Sequence, residues 1–186
     1  QFSEGEFNSL PKPLGRYFHH CGFVGQRKLT ACKVVFSKVD FKNGNMDLPL
    51  YCEQFNFASE PCRIAYLTSK IVGIIPFEGR DKYQDGKGVM TGKLAKLIKL
   101  FDVTGPEMNQ SALVTILAET LVLPSYAFQD YISWEELDQY SAKATIRYNG
   151  AEASGVFTID DTCESVVFRT VDRYMDKGKA GFELVP

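Results

Sequence analysis

The chain has 186 residues, a net charge of −2 and a pI of about 5.8, with 45% hydrophobic and 24% charged residues. This length is that of one domain, which we expect to span residues 1–186. The near-neutral charge argues against a nucleic-acid partner. The absence of any apolar run of about 18 residues argues against a transmembrane segment.

Five scattered cysteines form no zinc-type spacing, so we predict neither a metal site nor a cofactor. Their odd number leaves at least one unpaired within the chain. Reduced, buried thiols are one interpretation. The other is a bridge between Cys52 and Cys62, which an oxidising compartment would permit.

In chain order, the first predicted element is a short helix after Pro13, with apolar residues at helical spacing. From Leu29 the pattern changes to a period of two, which is typical of strands. One strand carries Cys32, Val34, Phe36, Val39 and Phe41, and "KNGN" predicts a turn. The returning strand places one set of alternate residues on a single face: Leu48, Leu50, Cys52, Gln54 and Asn56.

Further short strands follow, with breaks predicted at Ser69-Lys70, Glu78-Gly79 and Asp85-Gly86. Three more strands are predicted near Ala142–Tyr148, Ala153–Asp160 and Glu164–Tyr174. The segment "DDTCE" joins the last two as a hairpin. Consecutive strands with tight turns predict an antiparallel sheet. Between these groups, "GKLAKLIKLFDVTG" has helical spacing with lysines on another face, but it is short enough to be a strand. A membrane-surface helix is a further interpretation of this segment.

The clearest element is a central helix over Pro106–Leu123, which Pro124 ends. From Ala112 onward its residues are apolar nearly all round, which predicts contact with protein on most sides. Its one carboxylate in this part, Glu119, lies on the stripe of Ala112 and Ile116.

A carboxylate among hydrocarbon must find donors, take up a proton or reach solvent. We predict that Glu119 forms a buried ion pair with Arg80 or Arg173, anchoring helix to sheet. Two alternatives stay open. In one, Glu119 faces a ligand cavity with a raised pKa. In the other, it is exposed because the helical phase is misjudged.

Trp134 is the only tryptophan and follows the central helix. Ser133 and Glu136 match a capping box, which predicts a short helical turn. Packing over the core is one interpretation of Trp134. The alternative is an aromatic rim to a pocket, formed with Tyr126, Phe128 and Tyr131. No nucleophile–base arrangement or catalytic motif is present.

The chain resembles a family of uncharacterised bacterial proteins, a domain of unknown function. The resemblance runs from about Leu10 to Tyr174 through these segments: "LPKPLGRYFHHCGFVG", "EQFNF", "RDKYQDGKGVM", "GPEMNQSALVTILAETLVLP", "SWEEL" and "VDRYM". It implies a shared fold, no assigned reaction, and pattern positions at Glu119, Pro124, Trp134 and Arg173. Many members have hydrophobic N-terminal segments, which implies a cell-envelope location; the alternative is cytoplasmic. Members also typically continue for several more strands, which leaves open a truncation at the C-terminal end.

At fold level the predicted elements are similar to the open half-barrels of lipoprotein-carrier proteins, whose cavity accepts acyl chains. We therefore predict an α+β fold. In it, a curved antiparallel sheet (an open half-barrel) wraps around the central apolar helix, with a short N-terminal helix.

The predicted function is a non-enzymatic binding module of the cell envelope with an apolar cavity for a lipid or other hydrophobic ligand. Its candidate ligand-binding residues are Glu119, Arg80, Arg173, Trp134, Tyr126 and Phe128. Two alternatives are an enzyme using Glu119 as general acid or base, and an assembly protein that pairs through its sheet edge.

Overall fold

A computed structural model describes residues 1–43, 46–71 and 73–185. Its larger sheet has six antiparallel strands in sequence order, so every neighbour in the sheet is also a neighbour in the chain. The strands are β1 (Ala31–Asn43), β2 (Met46–Phe57), β3 (Cys62–Ile71), β4 (Ile75–Gln84), β5 (Lys87–Leu94) and β6 (Ile98–Val103). The predicted antiparallel pairing is confirmed, but the described strands form separate sheets and not the single predicted one, and β3 and β4 continue through the predicted breaks at Ser69-Lys70 and Glu78-Gly79.

Alternate residues of β2 point to one side of this sheet, as the sequence predicts, and the five of them from Leu48 to Asn56 are buried. They pair with Cys32, Val34, Phe36, Val39 and Phe41 of β1, across a bulge between Phe36 and Val39. We call this the helix side, because it faces the central helix. The predicted "KNGN" turn falls on Gly44 and Asn45, which lie outside the described residues.

The segment around Lys96 is a hairpin, so the predicted helix is wrong and the strand alternative is correct. Ala95 and Lys96 have φ angles of 50° and 64°, which a right-handed helix does not allow. Pairing of β5 with both β4 and β6 decides the outcome, since it supplies backbone hydrogen bonds to the strands on either side of the turn.

The central helix α3 spans Pro106–Ala118, and its residues from Ser111 to Leu117 are buried except Thr115. It packs on β4 and β5 on one side and on the second sheet on the other. A Cβ atom at Gly88 of β5 would lie 2.5 Å from the Met108 carbonyl oxygen of α3, so only glycine allows this approach. The Gly88 amide also donates to Asn109 Oδ1 at 2.7 Å.

The second sheet has four antiparallel strands in the order β10-β9-β8-β7. They are β7 (Ile132–Glu136), β8 (Ser141–Tyr148), β9 (Ala151–Ile159) and β10 (Val166–Arg169). The hairpin through "DDTCE" is confirmed. The predicted strand Glu164–Tyr174 is two strands, because the chain leaves the sheet after Arg169. After this point, β11 (Arg173–Asp176) pairs with β12 (Phe182–Val185) in a separate two-stranded sheet.

The predicted helical turn at Trp134 is wrong, since β7 is a strand paired with β8. In this strand Ile132 and Trp134 lie on the same side, and Ile132 is buried. The alternation matches the pleat, and it outweighs the weak capping signal of Ser133 and Glu136.

Two short helices begin the chain, α1 (Glu4–Asn8) and α2 (Lys12–His20). The second confirms the predicted N-terminal helix, and its Leu14 and Phe18 are fully buried. Leu14 and Phe18 form a second core with residues of the smaller sheet, including Ala142 and Ile159.

All five cysteines are free. The alternative bridge is therefore wrong, because the register sets Cys52 opposite Leu67 and Cys62 opposite Phe57.

Candidate functional site

The predicted central carboxylate lies at the end of α3 and not within it. The α-helix stops at Ala118, and Glu119 is its C-cap and the first residue of a 3-10 turn, Glu119–Leu121. The predicted helix end at Leu123 is thus wrong by five residues. A negative charge at a helix C-terminus opposes the helix dipole, so the site needs a cation nearby.

That cation is Arg63 of β3. Its Nε donates to both carboxylate oxygens of Glu119, at 2.9 and 3.1 Å, and Asn56 Nδ2 donates to Oε2 at 2.6 Å. The predicted ion pair of Glu119 with an arginine is confirmed, but the predicted partners Arg80 and Arg173 are wrong.

Strand alternation explains why Arg80 cannot reach Glu119. Arg63 and Asp81 both point to the helix side, and residues next to each other in a strand point to opposite sides. Arg80 therefore lies on the far side of the sheet, where it is exposed. Arg173 is on β11, and its Nη1 donates to Thr115 Oγ1 of α3 at 3.2 Å.

Arg63 connects Glu119 to three more polar side chains. Its Nη1 donates to Asp81 Oδ2 at 2.6 Å and its Nη2 to Gln54 Oε1 at 2.7 Å, while Gln54 Nε2 donates to Asn56 Oδ1 at 2.8 Å. We call these five residues of β2, β3, β4 and the end of α3 the polar network. The shared guanidinium fixes the end of α3 against three neighbouring strands.

Electrostatics stabilise the charged state of Arg63. Burial lowers the pKa of Arg63, but the charges of Glu119 and Asp81 outweigh that effect and raise it above its ordinary value. Burial and the charge of Glu119 raise the pKa of the Cys32 thiol. This thiol is therefore protonated at neutral pH and is a poor nucleophile.

The chemistry available to Glu119 is restricted by its partners. Both carboxylate oxygens accept from groups that are donors only, and an arginine cannot take part in proton transfer at ordinary pH. Within the described part of the chain, no three His, Cys, Asp or Glu side chains gather as metal ligands would. The geometry thus suits anchoring of the helix better than acid–base catalysis.

The predicted aromatic rim residues lie in the two cores. Tyr126 is fully buried, and Phe128 packs on Phe7 with ring centroids 5.7 Å apart. Trp134 Nε1 donates to the Ala127 carbonyl at 2.9 Å, and the Trp134 ring lies 5.7 Å from that of Phe157. The structure does not bring these three side chains together with Arg80 or Arg173.

A cavity of about 350 Å³ lies beside the polar network, between the N-terminal segment and the turns after α3. Cys32, which pairs with Asn56 across β1 and β2, forms part of its wall. Most of the remaining wall is apolar and comes from Phe2, Phe23, Leu29, Val122, Leu123 and Pro124. Ser125 also lines it, and its Oγ is buried with no hydrogen-bond partner among the residues that the structure describes.

A family model matches residues 1–186. The chain belongs to DUF6544, a family of unknown function. No curated protein and no solved structure gave a match to this DUF6544 chain. Across residues 1–43, 46–71 and 73–185, no helix has both the length and the apolarity needed to cross a membrane.

Sequence reasoning missed Arg63 as a functional residue of this DUF6544 protein, and it missed the cavity. One signal was present in the sequence: the predicted single face of β2 that carries Leu50 and Cys52 continues into Gln54 and Asn56. Two amides on a buried face need partners, which predicts a polar cluster at that end of the sheet. The cavity had no comparable signal, because its wall joins residues near positions 2, 25, 32 and 124.

Proposed function

We propose that this DUF6544 protein is a non-enzymatic binding module for a lipid or a similar elongated hydrophobic ligand. The observation that carries the proposal is the cavity of about 350 Å³ with a mostly apolar wall. Pockets for small molecules begin at about 300 Å³ and are lined mainly by apolar side chains with a few polar groups. This cavity fits both criteria.

The polar groups at the cavity favour an amphiphile with an anionic head. Gln26 and Ser125 are polar residues in the otherwise mostly apolar wall, which matches the few polar groups of such pockets. Arg27 also lines the cavity and is exposed to solvent, so its guanidinium can bind a carboxylate at the mouth. A fatty acid combines such a head with an apolar chain.

The helix side of β1 offers a path for the apolar chain. Cys32 in the cavity wall begins the row Cys32, Val34 and Phe36, whose members are about 7 Å apart along the strand. Phe36 and Phe41 are exposed large hydrophobic side chains on this side. We propose an open half-barrel, in which the sheet curves around α3 and leaves this row accessible to ligand.

The cell envelope remains our proposal for the compartment, and it rests on the family resemblance. The five free thiols fit the reducing cytoplasm, which was the alternative. A module on the cytoplasmic surface of the membrane would reconcile both observations.

Titration with an intrinsically fluorescent polyunsaturated fatty acid tests the proposal. Leu29→Trp places a larger side chain at the cavity wall, and we expect it to weaken probe affinity by about tenfold or more. Leu137→Trp is the matched control, because Leu137 is similarly half-exposed but is not among the cavity residues. Absence of saturable binding by the unaltered protein, or equal affinity in the Leu29 and Leu137 variants, would overturn the proposed function.

A further inference from the structure

Two neighbouring turns at one end of the six-stranded sheet expose large apolar side chains. Ile74 in the turn before β4 is 78% exposed, and Leu97 and Ile98 at the β5–β6 turn are 88% and 58% exposed. The Ala95 amide donates to the Pro76 carbonyl at 2.8 Å, which joins the two turns. We call Ile74, Ile75, Leu97 and Ile98 the apolar tip.

Lysines outnumber carboxylates around the apolar tip. Lys70 lies on the strand leading into one turn, and Lys93, Lys96 and Lys99 lie in or beside the other. Two carboxylates offset part of this charge: Glu78 is 3.5 Å from Lys96 and Asp102 is 3.0 Å from Lys99. Both pairs are solvent-exposed, and such pairs are weak and easily exchanged for other partners.

A groove of about 520 Å³ adjoins the tip and adds to this basic surface. Lys38, Lys70 and Lys96 line it together with Glu78. Lys70 and Glu78 alternate with helix-side residues of β3 and β4, so they point away from α3. The lining residues of this groove and those of the cavity of the proposed function have no member in common, so the two are separate sites.

We propose that the apolar tip docks this protein on the surface of an anionic lipid bilayer. Apolar side chains surrounded by lysines match the boundary between acyl chains and anionic headgroups. Lysine stems can lie along the apolar region while their ammonium groups reach phosphate. A second copy of the chain fits less well, because two such tips would bring their lysines together.

This inference does not rest on the proposed ligand cavity. The tip is formed by the β3–β4 and β5–β6 turns at one end of the six-stranded sheet. The cavity lies at the other end of this sheet, near Cys32 of β1. Docking at the tip requires neither Ser125 nor Arg27, so the two proposals can fail separately.

Flotation with lipid vesicles tests the inference on the full chain. We expect binding to vesicles of phosphatidylcholine mixed with phosphatidylglycerol and little binding to phosphatidylcholine alone. Leu97→Asp should reduce binding by at least about tenfold, since interfacial binding follows the buried apolar area. Val171→Asp is the matched control and should leave binding unchanged, because Val171 is 72% exposed in the loop before β11.

A fluorescence measurement distinguishes insertion from electrostatic adsorption. In Leu97→Trp, the emission should shift to shorter wavelength when anionic vesicles are added, whereas the emission of Val171→Trp should not. The thermal midpoints of all variants should match that of the unaltered protein, because both positions are exposed. Lack of vesicle binding, or binding that Leu97→Asp leaves intact, would overturn the inference.

Discussion

Replacing Glu119 by glutamine removes the negative charge that holds Arg63 at the end of α3. The side chains of Arg63, Asp81 and Glu119 are only 12%, 23% and 18% exposed. Removing one partner of a fully buried ion pair costs about 3–5 kcal/mol. Because these groups retain some solvent and Arg63 keeps Asp81, we expect Glu119→Gln to lower the free energy of unfolding by about 2–3 kcal/mol.

Guanidinium chloride unfolding measures this loss. With a slope of about 5 kcal/mol per molar for a chain of this size, the midpoint should fall by about 0.5 M. Glu152→Gln is the matched control, because Glu152 pairs with Arg147 at 2.6 Å on the exposed surface. Its expected cost is below about 1 kcal/mol.

A double-mutant cycle shows whether the cost arises at Arg63. If the unpaired guanidinium causes the loss, the double change Arg63→Met and Glu119→Gln should cost less than the sum of the two single changes. The difference should be about 1 kcal/mol or more. Additive effects, or an equal midpoint shift in Glu119→Gln and Glu152→Gln, would refute an anchoring role for the polar network.

Two further predictions concern other parts of the fold. Gly88→Ala should destabilise the protein by about 1–3 kcal/mol in the same assay, since the new methyl group would meet α3. Gly5→Ala should cause no loss, because among the described residues no atom outside its own helix backbone and chain neighbours lies within 4 Å of its Cβ position. The Lys28 ammonium and the Ser3 amide lower the pKa of Glu6 from 4.5 to about 2, so the stabilising contribution of the carboxylate is present above pH 4.5 and is lost as the pH falls towards 2. Titration followed by carbon NMR should give this low value in the unaltered protein and a higher value in Lys28→Ala, still below 4.5 because the Ser3 amide remains; a normal pKa with Lys28 present would contradict the Lys28–Glu6 pair.

The period-two pattern was sufficient to predict much of the larger sheet. In β2, the apolar residues Leu48, Leu50 and Cys52 lie at alternate positions, and burial of alternate residues is the direct consequence of the pleat. The run around Lys96 was ambiguous, because so short a segment fits both a helix and a strand. Only the pairing of β5 with its neighbours resolves it.

Two copies of one local motif show the limits of capping signals. Ser3 and Glu6 form a capping box at the start of α1, which the sequence reasoning did not predict. Ser133 and Glu136 have the same spacing but lie in β7. A capping box contributes only about 1 kcal/mol, so tertiary pairing of a strand readily overrides it.

The partner of Glu119 could not be read from the sequence. Its identity depends on the register of β3 and on the point where α3 ends, and both are set by tertiary contacts. The polarity of Gln54 and Asn56 on a buried face indicates where the partner lies, but not that Arg63 is the residue. The ion pair was thus predictable as a type of interaction, and its geometry was not.

Native mass spectrometry of the protein, purified gently from its host without detergent, tests the binding function most directly. We expect a second species heavier than the chain by the mass of a lipid or fatty acid, and release of that mass on mild activation. Leu29→Trp should lose the heavier species and Leu137→Trp should retain it. A single species at the mass of the chain alone, with no uptake when fatty acid is added in excess, would contradict a hydrophobic-ligand-binding function.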